Sequence, residues 1–124
     1  MHLIEPLGFS LDEKALRRAG LDYWDRVKVV RWRDWAAFEA ARDRAAQMWF
    51  LTTKTRQAYW GCSFQRGDYL VFGRETRGLP ESLLAANGSQ CLTIPMQPET
   101  RSLNLATSVG IVLYEAVRQN AQVD

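Results

Sequence analysis

Short apolar runs alternate with stretches of helical spacing along the chain, the cadence of a strand–helix repeat. Residues 1–4 form a first apolar run, stopped by Glu5-Pro6, and read as a buried strand feeding a loop. Ser10-Leu11-Asp12-Glu13 has the form of a capping box, and the helix it opens runs to Gly20, a good C-terminal stop. Residues 27–32 read as a second strand. Asp34 is placed to cap the next helix, in which Trp35, Phe38 and Ala41 or Arg42 fall at helical spacing. Residues 48–53, 68–73 and 91–96 make the third, fourth and fifth strands. Between the third and fourth, residues 55–67 are polar and aromatic with two glycines, and read as a loop. A short helix over 80–87 puts Pro80 near its first turn. The last helix spans 103–119, with Leu105, Val109, Val112, Leu113 and Ala116 on one face.

Five apolar strands separated by helices predict an α/β fold: a parallel sheet covered by helices on both faces, in one domain over residues 1–124. In such sheets ligands bind outside the carboxyl ends of the strands. The loops after Thr53, Gly73 and Met96 all begin there, and they are richer in polar and special residues than the others.

Composition narrows the classes. Of 124 residues, 47% are apolar and 24% charged, enough to fold one globular core. The net charge of +2 demands no polyanionic partner, but the cations are mostly arginine, suited to phosphate and carboxylate. Lys14-Ala15-Leu16-Arg17-Arg18 and the run Arg26, Lys28, Arg31, Arg33 are locally basic; solvated faces and an RNA-facing surface are both open. Cys62 and Cys91 lie far apart in no metal spacing, and His2 is the single histidine, which argues against a zinc site or a His-based triad. No run reaches membrane-spanning length and no signal peptide is visible. A reduced, cytoplasmic setting is expected, with no metal.

Two loops carry the candidate chemistry. Leu70-Val71-Phe72-Gly73-Arg74-Glu75-Thr76-Arg77-Gly78-Leu79-Pro80 runs from a strand into a loop with two glycines, a carboxylate and two guanidiniums. Glycine lets a ligand approach backbone closely; turn geometry alone is the plainer reading. The spacing matches neither a dinucleotide fingerprint nor a phosphate loop. For Glu75 two readings are open, a surface pair with Arg74 or Arg77 and a group that orients a substrate hydroxyl or amino group, while Arg77 and Arg101 are suited to hold phosphates in bidentate fashion. The second loop, Ile94-Pro95-Met96 through Arg101-Ser102-Leu103-Asn104, leads into the last helix, with Ser102 read as its N-cap.

Taken together, these motifs resemble the second and third motifs of the SPOUT class of RNA methyltransferases, most nearly the small single-domain family that methylates the ribose 2′-hydroxyl at the wobble position, nucleotide 34, of tRNA. Leu3-Ile4-Glu5-Pro6-Leu7-Gly8-Phe9, Leu16-Arg17-Arg18-Ala19-Gly20-Leu21-Asp22-Tyr23 and Leu51-Thr52-Thr53-Lys54 also resemble that family. The resemblance implies a C-terminal trefoil knot in which S-adenosylmethionine lies bent. It implies that Leu51, Gly73, Ile94, Ser102 and Leu103 line the cofactor pocket, and that Glu75, Ser102 and Asn104 sit near the reacting centre. Arg77 and Arg101 would position RNA phosphates of the tRNA anticodon loop. A homodimer built on the last helix is implied as well.

The family's pattern begins earlier than this chain. A strand, a loop bearing glycine and asparagine, and a helix precede the segment that matches Met1-His2-Leu3-Ile4-Glu5-Pro6. That piece holds the family's first motif, with an arginine implicated as base or RNA contact, and no residue here inherits that role. Two functional readings follow: an enzyme of this type, N-terminally shortened, or a non-catalytic remnant that keeps cofactor binding or only an RNA or dimer surface.

Overall fold

The computed structural model describes residues 1–5, 28–73, 78–97 and 104–121. The helix expected over residues 10–20 lies outside them, as do Glu75, Arg77, Arg101, Ser102 and Leu103. The chain forms two compact units, Met1–Asp43 and Arg44–Asp124.

In the first unit, β1 (His2–Ile4) and β2 (Val30–Trp32) pair in parallel, with Leu3 opposite Arg31. The pairing continues past the strand ends through Val30 N–H to the Met1 carbonyl and Glu5 N–H to the Trp32 carbonyl, both 2.9 Å. Helix α1 (Trp35–Ala41) starts as its sequence requires: the Asp34 carboxylate accepts from Ala37 N–H at 2.8 Å. Phe38 is the buried residue of this helix, and its ring meets those of His2, Trp32 and Trp35 at centroid distances of 5.2–5.9 Å. Three of those four rings therefore come from β1, β2 and the residue that opens α1, which sews the unit together.

The second unit is built on a three-stranded parallel sheet in the order β4-β3-β5. Its strands are β3 (Met48–Leu51), β4 (Tyr69–Val71) and β5 (Cys91–Leu92). The central strand is the most apolar, because strands covered on both faces cannot alternate. Met48, Phe50 and Leu51 are all buried, and Phe50 stands opposite both Val71 and Cys91. Helices α2 (Glu81–Ala86) and α3 (Leu105–Asn120) belong to the same unit. Val112 of α3 is fully buried in a cluster with Leu51, Cys62, Phe64 and Leu92, and Ala116 packs against it.

Among the described residues all five expected strands exist and every pairing is parallel, but the strands are shorter than the apolar runs and fall in two sheets, one per unit. β5 shows why. After Leu92 the chain makes an isolated bridge from Thr93 to Ala58 instead of a continued ladder with β3, and Pro95 has no N–H to donate. The expected loop over 55–67 contains a 3-10 turn, Tyr59–Gly61, seated by that bridge. On α3 the expected apolar face needs one correction: Leu113 is 46% exposed, whereas Val112 beside it is fully buried.

Candidate functional site

Three of the residues expected to line a cofactor pocket end neighbouring strands of one parallel sheet. Leu51 is the last residue of β3, Gly73 lies two residues beyond β4, and Ile94 two beyond β5. Parallel strands put all three at the same, carboxyl edge of the sheet, where α/β proteins hold their ligands. Leu51 is buried and Ile94, half-buried, packs against the cluster that contains it. The β5 ladder closes at Thr93, whose N–H donates to the Gln57 carbonyl at 2.8 Å and whose carbonyl accepts from Tyr59 N–H at 3.0 Å. Among the described residues the ladder goes no further, so the amide and carbonyl of Ile94 are left for another partner.

Gly73 is required by contact. A Cβ there would fall 2.2 Å from the carbonyl carbon of Gly78, 2.4 Å from the nitrogen of Leu79 and 2.6 Å from the Gly78 Cα. The strand end and the far end of the charged loop thus meet backbone to backbone. Gly78 answers the other half of the geometry, with φ at +67°, in the left-handed region that glycine tolerates best. Leu79, buried, anchors the return of the loop into α2. Gly73 and Gly78 therefore hold the end of β4 and the approach to α2 in direct contact.

The last helix starts two residues later than its apolar pattern suggests. Asn104, not Ser102, is its N-cap: Asn104 Oδ1 accepts from Ala106 N–H at 2.9 Å and from Thr107 N–H at 3.4 Å. The carboxamide oxygen is occupied in this way, and Nδ2 makes no hydrogen bond among the described residues.

Two further ties were not legible in the sequence. Lys54, three residues past β3, donates to Glu81 in the first turn of α2 at 2.9 Å, linking the loops that follow β3 and β4. The Lys54 ammonium pulls the exposed Glu81 carboxyl below its ordinary value. At the other end of α3, Gln119 ties the helix to the backbone of residues 62–64. Its Oε1 accepts from Phe64 N–H and its Nε2 donates to the Cys62 carbonyl, both at 2.8 Å. Asn120 Nδ2 adds a bond to the Phe64 carbonyl at 2.9 Å. Sequence separations of 27 and more than 50 residues leave no local signal for either tie.

A shallow groove of about 370 Å³ runs between residues 64–68 and the end of α3, lined by Phe64, Leu70, Leu113 and Val117. It lies toward the start of β4, not at the edge that holds Leu51, Gly73 and Ile94. Among the described residues no group of His, Cys, Asp and Glu is arranged to hold a metal, and no helix is long and apolar enough to cross a membrane.

Comparison with known proteins bears on this geometry. The model of the SpoU rRNA methylase family matches residues 1–114. A tRNA (cytidine(34)-2'-O)-methyltransferase of Escherichia coli is 50% identical over 120 residues, which cover 96% of this chain and 76% of that protein. One of the same name from Burkholderia cenocepacia is 47% identical over 121 residues, or 96% of this chain and 78% of its own length. Among solved structures, one described as giving insights into the 2-OH methylation of C/U34 on tRNA is 46% identical and superposes with a TM-score of 0.87 over 96% of this chain and 77% of that one. An AdoMet-bound rRNA methyltransferase from Sinorhizobium meliloti is 26% identical, with a TM-score of 0.71 over 94% of this chain and 45% of that one. With an α/β fold of parallel strands and a family match along most of its length, this chain belongs to the SpoU methylase family.

Proposed function

We infer that this protein transfers a methyl group from S-adenosylmethionine to the ribose 2′-hydroxyl of nucleotide 34 of tRNA. The observation that carries this reading is the 50% identity to the Escherichia coli enzyme over 96% of the chain.

The residues at the carboxyl edge suit the cofactor. Leu51 and Ile94 offer apolar surface to an adenine ring, and the backbone groups of Gly73 and Ile94 suit its polar edge. The pinch between Gly73 and Gly78 supports a close-fitting loop on that edge, of the kind a trefoil knot of the 73–80 and 94–105 segments would need. Ser102 and Leu103 complete the pocket in this reading. The bound cofactor supplies an already activated methyl group. The chain then has to align the ribose oxygen with it and help remove the hydroxyl proton. Glu75, Ser102 and Asn104 are assigned to that centre. Because Asn104 Oδ1 caps α3, its Nδ2 is the atom available to substrate or cofactor. Arg77 and Arg101 are assigned to RNA phosphates of the anticodon loop.

Leu113, Tyr114 and Val117 leave apolar surface exposed on α3, which supports a homodimer through that helix. A cytoplasmic location accords with a tRNA substrate. Calorimetric titration with S-adenosylmethionine beside a methylation assay on tRNA tests the reading. Binding with transfer is the expected result. Binding without transfer favours a remnant that keeps only the cofactor site, and no binding refutes the pocket.

A further inference from the structure

We propose that Trp60 is a stacking platform for an unpaired base of the RNA substrate, a role that rests on the tRNA methyltransferase reading above. Trp60 is 59% exposed, an unusual position for the largest side chain in a chain of this size. Its neighbours in the 3-10 turn divide the labour. Tyr59 packs against the core cluster and meets the Trp60 ring edge-on at 5.3 Å, while Trp60 faces outward.

The turn is fixed at both ends. Gln57 and Tyr59 bracket Thr93 through two backbone bonds of 2.8 and 3.0 Å, and Gly61 N–H returns to the Ala58 carbonyl at 3.2 Å. On the far side Gln119 holds the Cys62 carbonyl. An exposed indole on a fixed turn loses little freedom when something stacks on it. The Ala58–Thr93 bridge is parallel, so the segment leading to Trp60 runs alongside β5 toward the carboxyl edge. Thr93 is adjacent to Ile94, which places the turn beside the proposed cofactor pocket.

Charge selects the partner. Residues 52–67 contain three cations, Lys54, Arg56 and Arg66, and no Asp or Glu. Lys54 is tied to Glu81 and Arg66 to the Asn120 carbonyl. Arg56 is exposed and makes no ion pair among the described residues. An exposed aromatic with an uncommitted guanidinium four residues away fits a splayed nucleotide, base on the ring and phosphate on the arginine. A purely apolar partner would gain nothing from Arg56.

The test uses a synthetic anticodon stem-loop with 2-aminopurine in the loop, whose fluorescence is quenched on stacking, beside methylation of intact tRNA by the same variants. Stacking on an aromatic side chain contributes about 1–3 kcal/mol per base, so Trp60→Ala is expected to raise KM for tRNA by about 5- to 150-fold. Affinity for S-adenosylmethionine should hold, and the quench should disappear. Trp60→Phe should restore the quench and most of the affinity, and Arg56→Ala should weaken binding in a salt-dependent way. Wild-type RNA affinity and quench in Trp60→Ala overturn the proposal alone. So does a change of oligomeric state in that variant, since Trp60 would then serve contact between copies. A wild-type chain that binds no RNA overturns the functional reading and this proposal with it.

Discussion

The backbone of Gly73 touches that of Gly78 so closely that a Cβ on Gly73 would lie 2.2 Å from the Gly78 carbonyl carbon. Neither partner is a flexible side chain able to swing aside, so any substitution has to spread the loop or shift the end of β4. Gly73→Ala is expected to destabilise the fold by about 1–3 kcal/mol, the usual range for overpacking, and to weaken S-adenosylmethionine binding. Gly78→Ala meets no atom within 4 Å and should suffer only from the left-handed φ, about 1–2 kcal/mol. Denaturant unfolding of the two variants checks the order. Binding that survives Gly73→Ala unchanged would separate the pinch from the pocket.

Asn104 combines a structural role with a proposed catalytic one, and substitution can part them. Asn104→Ala removes the cap of α3 and should cost about 0.5–2 kcal/mol. Asn104→Asp keeps the accepting oxygen and the stability but loses the Nδ2 donor. If Nδ2 acts on substrate, thermal unfolding of Asn104→Asp stays near wild type while methyl transfer falls. Equal transfer by Asn104→Asp and wild type would confine Asn104 to capping.

The Gln119 amide bonds the backbone on either side of Ser63, through Phe64 N–H and the Cys62 carbonyl. Gln119→Ala leaves both partly buried groups without a protein partner and should cost about 1–3 kcal/mol. Gln119→Glu keeps an acceptor for Phe64 N–H but sets a carboxylate against the Cys62 carbonyl and Glu115, which Gln119 Nε2 now bonds at 3.2 Å. It should therefore be no more stable than Gln119→Ala at neutral pH. Hydrogen exchange at Phe64 N–H reads the contact directly, with faster exchange expected in Gln119→Ala.

His2 supplies a pH dependence. Burial chiefly, helped by the N-terminal ammonium and Lys28, holds its pKa below the ordinary histidine value. The Trp32 indole N–H donates to Nδ1 at 3.1 Å, a bond that only an unprotonated Nδ1 accepts. A lowered folded pKa means the unfolded chain binds the proton more readily. The contribution of His2 is thus full above the ordinary histidine pKa and is lost as pH falls through the lower, folded value. An NMR titration of the His2 ring should find a midpoint below that of histidine in a peptide, and His2→Phe should flatten the stability profile in that window.

The parts of this structure that were legible in the sequence are those governed by local chemistry. Asp34 before Trp35 and the apolar run of β3 specify their elements within a few residues. The start of α3 is ambiguous in sequence because Ser102 and Asn104 are both good caps, and only the pairing of Asn104 with Ala106 and Thr107 distinguishes them. Leu113 shares the apolar stripe yet lies exposed, because helical spacing defines a stripe without saying how wide a strip the core covers. The glycine pair at 73 and 78 was visible as a loop signal, but not as a contact. The ties of Lys54 to Glu81 and of Gln119 to Cys62 and Phe64 depend on tertiary approach alone.

Methyl transfer to the wobble ribose is read out by following a labelled methyl group into tRNA. The protein is incubated with S-adenosylmethionine carrying a labelled methyl group and with unmodified tRNA, and the tRNA is digested to nucleosides resolved by mass. One labelled 2′-O-methylated nucleoside per tRNA, derived from position 34, is the expected result. Label on a base, label at another position, or cofactor binding with no label in the RNA would contradict it.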